Sequence, residues 1–128
     1  MALGKIKADT LEHSTAGSLD TQYVVNGSAK AWANMDGDAS TPVFRDSLNC
    51  SSLTDTSTGT INPQFVSTMA NSDFVSVGCA HASGVAWCAS VYVGGKTTNQ
   101  MHFQTRDADS ASAVDADPAD IASFGDLA

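Results

Sequence analysis

Residues 43–60, VFRDSLNCSSLTDTSTGT, bring Arg45, Asp46, Ser47, Asn49, Cys50, Ser51 and Asp55 together, much of the inventory hydrolases use for nucleophilic chemistry. A serine or cysteine nucleophile needs a histidine base oriented by a carboxylate, and the chain offers His13, His81 and His102. None lies in a recognisable catalytic context. There is no G-x-S-x-G, and Cys50 has no protease signature around it. Arg45 and Asp46 are neighbours and point to opposite faces of a strand unless that strand bulges, which denies them a shared site. The stretch reads as strand, turn and strand, with Gly59 supplying backbone freedom before the next strand.

A second constellation points to binding. Two-residue turns at Ser83-Gly84 and Gly94-Gly95 would fix a three-strand register from Asp73 to Thr105. That register puts Val75, Val77, Cys79, Cys88, Tyr92, Met101 and Phe103 on one face, read as the core face. Phe74, Ser76, Gly78, Ala80, Trp87, Gln100 and His102 fall on the other. An indole can stack on a sugar ring while amide and imidazole groups supply directional hydrogen bonds, so Trp87, Gln100 and His102 are the candidate receptor or glycan site. The competing reading buries Trp87 in a second layer or a subunit interface.

Cys79 and Cys88 oppose each other in this register at a separation that suits a disulfide, although a cytoplasmic product keeps them reduced. His81 beside them lacks a fourth partner for a metal. Three cysteines without a C-x-x-C pair signal neither a disulfide framework nor structural zinc. The acidic DGDAS loop and tail lack the spacing of a calcium loop. No metal or cofactor is expected. A polysaccharide-cleaving spike would need two facing carboxylates, and lone Glu12 with scattered turn aspartates does not form that pair.

The elements that must position these groups are strands. The 128 residues suit one domain, only 16% are charged and 7% aromatic, and Ala, Ser, Thr, Gly and Asp dominate. Period-two alternation recurs between turn signals and helical periodicity is almost absent, giving about nine strands. GKIKADTL and DTQYVV, AKAWANM, the stretch after Pro42, and TINPQFV with Ile61, Pro63 and Phe65 on one face are among them. The tail beyond Arg106 holds six Asp and no Lys or Arg, and is expected to run as a solvated loop. ADIASFG returns as a last strand, Ile121 on one side and Ala122 and Phe124 on the other. The net charge of −8 repels phosphate backbones, so nucleic acid is not an expected partner. No run of eighteen apolar residues and no secretory leader is read, so membrane insertion is not expected and synthesis is placed in the cytoplasm.

KAWANMDGDASTPVFRDSLNCSSLTDTSTGT, FVSTMANSDFVSVG and MHFQTRDADSASAVDADPADIASFGD together resemble the terminal domain of tail-fibre and related surface proteins of tailed bacteriophages. Lys30, Trp32 and Asn34 match its first strand, and Arg45, Asp46, Ser47 and Asn49 its second. Ser52, Thr54, Asp55 and Gly59 match its turn, and Phe124, Gly125 and Asp126 its close. The resemblance spans residues 29–125, with departures at Pro63, Ala33 and Met35. It implies an antiparallel β-sandwich knob over residues 28–128, associated as a homotrimer, after an extended anchoring or entwined segment over 1–27. It further implies a virion protein, made in the host cytoplasm, held by its N-terminal segment to another tail or capsid protein and contacting a host glycan or protein. Trp32, Arg45 and Asp46 would then serve subunit or fold contacts. A capsid decoration or head-fibre protein, favoured by the absence of a long shaft, and a carbohydrate-binding module are the alternatives.

Overall fold

The computed structural model describes residues 7–81, 89–90 and 95–128. The chain opens with a hairpin, β1 (Thr10–His13) and β2 (Gly17–Asp20), followed by α1 (Thr21–Gly27). The hairpin turn ends on Gly17 at φ 87°, a left-handed conformation that glycine adopts without a Cβ penalty. DTQYVV, expected as a strand, begins at the last residue of β2 and then forms the helix. Thr21 donates its backbone N–H to Asp9 O at 2.8 Å and its hydroxyl to Ala8 O at 2.7 Å, which turns the chain out of the strand.

Two four-stranded antiparallel sheets make up the rest. The first has the order β4 (Val43–Leu48), β3 (Ala31–Asp36), β10 (Ala119–Phe124), β7 (Val75–Ala80). The second has the order β5 (Cys50–Ser57), β6 (Thr60–Phe65), β9 (Phe103–Thr105), β8 (Ala89–Ser90). The all-β sandwich expected from the alternation is the fold of the protein. A single residue, Asn49 at φ 56°, separates β4 from β5 and carries the chain from one sheet to the other. Its side chain stabilises that corner, accepting from the Ser67 N–H at 2.7 Å and donating to Ser67 O at 3.0 Å.

The two inner faces differ in size. The first sheet contributes Ala31, Ala33, Met35, Ala119, Ile121 and Ser123, mostly small side chains. Ile61, Phe65, Met101 and Phe103 come from the second sheet and its connections, and Met69 and Phe74 from the segment between β6 and β7. Large groups from one layer fill the space that small groups leave in the other, which is how a close-packed interior forms without voids. Phe65 and Phe74 meet edge to face with centroids 5.6 Å apart. The Ser76 and Ser123 hydroxyls are 2.6 Å apart, so a buried polar group has its partner.

Strand β7 is turned over relative to the expected register. It pairs with β10, Val77 opposite Ala122 and Gly78 opposite Ile121, so Val75, Val77 and Cys79 lie on the outer, exposed face. Phe74 is buried and Ser76 and Ala80, on the opposite side of β7, are half-buried, while Gly78 between them is exposed. Val75, Val77 and Cys79, expected on the core face, lie outside because pairing with β10 sets the faces of β7 by the strand whose Ile121 points inward. The Ser83-Gly84 turn and the partner strand through Cys88 lie outside the described residues, as does Gly94.

At Arg45 and Asp46 the strand bulges, the condition under which the two need not point to opposite faces. Phe44 pairs with Met35 and Asp46 with Asn34, leaving Arg45 as the extra residue of a β-bulge. The bulge resets the alternation, and both side chains are exposed.

Candidate functional site

The bulge positions a charge clamp. Arg45 Nη2 pairs with Asp36 Oδ2 at 3.4 Å and with Asp117 Oδ1, tying β4 to the end of β3 and to the loop entering β10. The hydrogen bond to Asp117 raises the guanidinium pKa further above its usual value, with attraction to both carboxylates adding to it. Asp36 also accepts from the Ala39 N–H at 3.1 Å, closing the loop after β3. The loop packs tightly: a Cβ on Gly37 would lie 2.7 Å from Ala116 O and 2.8 Å from Ile61 Cδ1. Arg45 thus sits in a structural contact. Asp46 accepts from the N–H of its neighbour Ser47 at 2.8 Å, within β4.

Cys50, the other group with catalytic potential in this stretch, is placed against activation. Its thiol donates to Leu48 O at 3.4 Å and Trp32 O at 3.5 Å, and burial pushes its pKa up to about 11. A thiol held protonated is a poor nucleophile. His81 lies elsewhere, with Nδ1 3.2 Å from Asp117 O. Among the described residues no group of three or more His, Cys, Asp or Glu side chains is placed to hold a metal ion.

Of the three predicted binding residues, Gln100 and His102 come together and Trp87 lies outside the described residues. Gln100 bridges to β6 at Gln64, whose Nε2 donates to Gln100 Oε1 at 3.0 Å, and its own Nε2 donates to Gly95 O at 3.0 Å. His102 is half-buried and packs against Gly95, where a Cβ would come within 2.3 Å of its Nδ1. Burial lowers its pKa, which favours the neutral ring at physiological pH. A neutral imidazole and two interlocked amides form a polar surface that offers donors and acceptors without charge.

Trp32 lies on a different surface, the outer face of the first sheet. Register places Leu48, Trp32, Ala122 and Val77 side by side across all four strands. Val75 opposite Phe124 continues the stripe. Val75, Val77 and Leu48 are 59%, 54% and 48% exposed, a stripe of apolar surface that a solvated sheet face does not ordinarily carry. The next row is polar: Asp46, Asn34, Asp120 and Cys79, with Asn34 Nδ2 donating to Asp120 Oδ1 at 2.5 Å. A shallow depression of ≈ 320 Å³ lies over β7 and β10, lined by Val77, Gly78, Cys79, Asp120, Ile121 and Ala122. Sequence reasoning named Trp32 and Asp46 from this surface, as subunit or fold contacts. Local alternation carries no signal for the rest, because the pairing of β7 with β10 sets which side faces out.

No protein-family model, no curated protein and no solved structure matches the chain. Among the described residues no helix is long and apolar enough to cross a membrane.

Proposed function

We propose that this is a non-enzymatic virion protein of a tailed phage: a homotrimeric all-β knob forming a short surface appendage that contacts the host receptor. The observation that carries the reading is the run of motifs over residues 29–125 that resembles the phage terminal domain. Its matching positions fall at construction points of the sandwich: Trp32 and Asn34 on β3, Arg45 at the bulge, Asn49 at the sheet-switching corner and Gly59 in the β5–β6 turn. Gly59 has φ 70°, and its N–H donates to Asp115 Oδ1 at 2.6 Å. The acidic, uncatalytic surroundings of Arg45 and the protonated Cys50 thiol also support a role in binding and assembly.

Host contact is assigned to the Gln100 and His102 surface together with Trp87. Three copies would bind a host glycan or protein by avidity, each site weak alone. Another virion protein, of tail or capsid, takes the N-terminal end of the assembly. A capsid decoration protein is the second reading, favoured by the apolar residues that segment 10–27 leaves uncovered.

Mass spectrometry of purified phage particles, with immunogold labelling to place the protein on tail or head, tests the proposal. Label at the tail tip supports the appendage, label over the shell favours decoration, and absence from particles overturns both. Host-cell binding that survives Trp87→Ala with the oligomer intact would remove the assigned contact surface.

A further inference from the structure

Phe124, Gly125 and Asp126, at the end of β10, line a cleft that the assigned host-contact surface does not include. Its volume is ≈ 400 Å³, within the range of small-molecule sites, and it opens where α1 ends beside the first sheet. Asn26 comes from α1, Asn71 and Asp73 from the segment before β7, and Val75 and Phe124 are partners across β7 and β10. Bonds made elsewhere hold these parts in place. Lys30 Nζ donates to Val25 O, and to Ser28 O at 3.1 Å, which closes the end of α1. The Ala70 N–H donates to Asp126 O at 2.8 Å, tying the segment before β7 to the residues after β10. The chain at Gly125 runs so close to Phe74 that an added Cβ would lie 2.7 Å from Phe74 Cβ. The cleft is therefore built into the fold and not shaped by a ligand.

Three kinds of surface meet in it. The Asp73 and Asp126 carboxylates have no hydrogen-bond or ion-pair partner among the described residues, and as carboxylates they can only accept. Asn71 Oδ1 takes the Asp73 N–H at 2.8 Å, which leaves the Asn71 amide nitrogen to donate. Val75, 59% exposed, and the half-buried Phe124 ring supply apolar surface. We propose that this cleft binds a neutral sugar. Sugar hydroxyls donate to the two carboxylates, sugar oxygens accept from the asparagine amides, and the C–H face of the ring packs on Phe124 and Val75. A bare cation would leave the amide donors and the apolar groups unused. An anionic sugar would meet two carboxylates in a chain of charge −8. The site is additional to the Gln100 and His102 surface, which borders the second sheet.

The test starts with the full chain on a panel of immobilised glycans, hexose- and N-acetylhexosamine-terminated neutral ones against sialylated, uronate-bearing and sulfated ones. The neutral oligosaccharide bound most strongly is then titrated into isotope-labelled protein in the presence of EDTA and followed by NMR. Expected are binding to neutral glycans, shifts of the Asn26 and Asn71 side-chain amides, and an affinity lowered at least about tenfold in Asp73→Asn and in Asp126→Asn. Both aspartates are exposed, and circular dichroism checks that each variant is folded. Preference for acidic glycans, no neutral glycan bound, loss of binding in EDTA, or an affinity unchanged in either variant overturns the proposal. Shifts at the Gln64 and Gln100 amides with none at Asn26 and Asn71 would uphold the assigned host contact and overturn this cleft.

Discussion

Strand β3 and helix α1 are separated by three residues and are built from similar material, yet they fold by different means. In β3 every second residue, Ala31, Ala33 and Met35, is buried against the opposite sheet, whereas α1 buries none. Small side chains suffice in β3 because Phe103 and Met101 reach across from the other layer. Among the described residues the β1–β2 hairpin and α1 face no opposite layer, so Leu11, Leu19, Tyr23 and Val25 stay in water. Burial here depends on what stands opposite a residue more than on how apolar that residue is.

The sharpest way to break this contrast is to remove the large partner. Phe103 is 1% exposed and fills the space over the small face of the first sheet, so Phe103→Ala is expected to cost about 3–5 kcal/mol in urea-denaturation stability. A loss below about 1 kcal/mol would mean that the small faces close on each other and that the complementarity is not what holds the layers. Gly59 comes next. Its φ of 70° and the 2.5 Å approach of a Cβ to Thr105 O make Gly59→Ala both strained and crowded, at about 2–3 kcal/mol by the same measurement.

Alternation and turn chemistry make the all-β class, the apolar row Ile61, Pro63 and Phe65, and a last strand with Ile121 opposite Ala122 and Phe124 legible in the sequence. In β7 apolarity alone points to Val75, Val77 and Cys79 as the core side, and they lie outside because the strand pairs with β10, a partner distant in sequence that local alternation does not reveal. The ion pairs of Arg45 are not legible for a related reason. Its carboxylate partners are Asp36 and Asp117, and Asp117 is brought near only when β10 pairs with β3. Of the predicted binding residues, Gln100 and His102 share a surface because both flank Met101, whose buried side chain turns them outward together.

Thiol chemistry sharpens the contrast between inside and outside at the level of single groups. Cys79 is exposed and Cys50 is half-buried with its pKa pushed up to about 11. With Ellman's reagent at pH 8, Cys79→Ser is expected to remove a fast phase and Cys50→Ser a slow one. The raised pKa favours the protonated thiol in the fold. Its contribution is complete below the unfolded thiol pKa, about 9.0, and fades as pH rises toward about 11. Stability that falls over this alkaline window in the wild type, and falls less in Cys50→Ser, is the expected signature; identical pH curves would contradict it.

The smallest effects belong to groups held wholly in water. Asp107 opens the loop after β9 and accepts from the Ser110 hydroxyl at 2.7 Å and the Asp109 N–H at 3.0 Å. The Ser110 hydroxyl is the largest cause of its lowered pKa, with the Asp109 N–H second. A depressed carboxylate stabilises the fold above its unfolded pKa and loses that contribution as pH falls through the lower folded value. Ser110→Ala should therefore move the Asp107 titration, followed by NMR, upward toward the ordinary carboxylate value and leave the urea midpoint near pH 7 almost unchanged. The β1–β2 hairpin should respond in the same quiet way: Leu19→Ser, at a position about half exposed, is expected to shift urea-denaturation stability by less than about 0.5 kcal/mol. A larger loss would show that the hairpin packs on its own sandwich, and the contrast between the buried alternation of β3 and the exposed segment before it would fall.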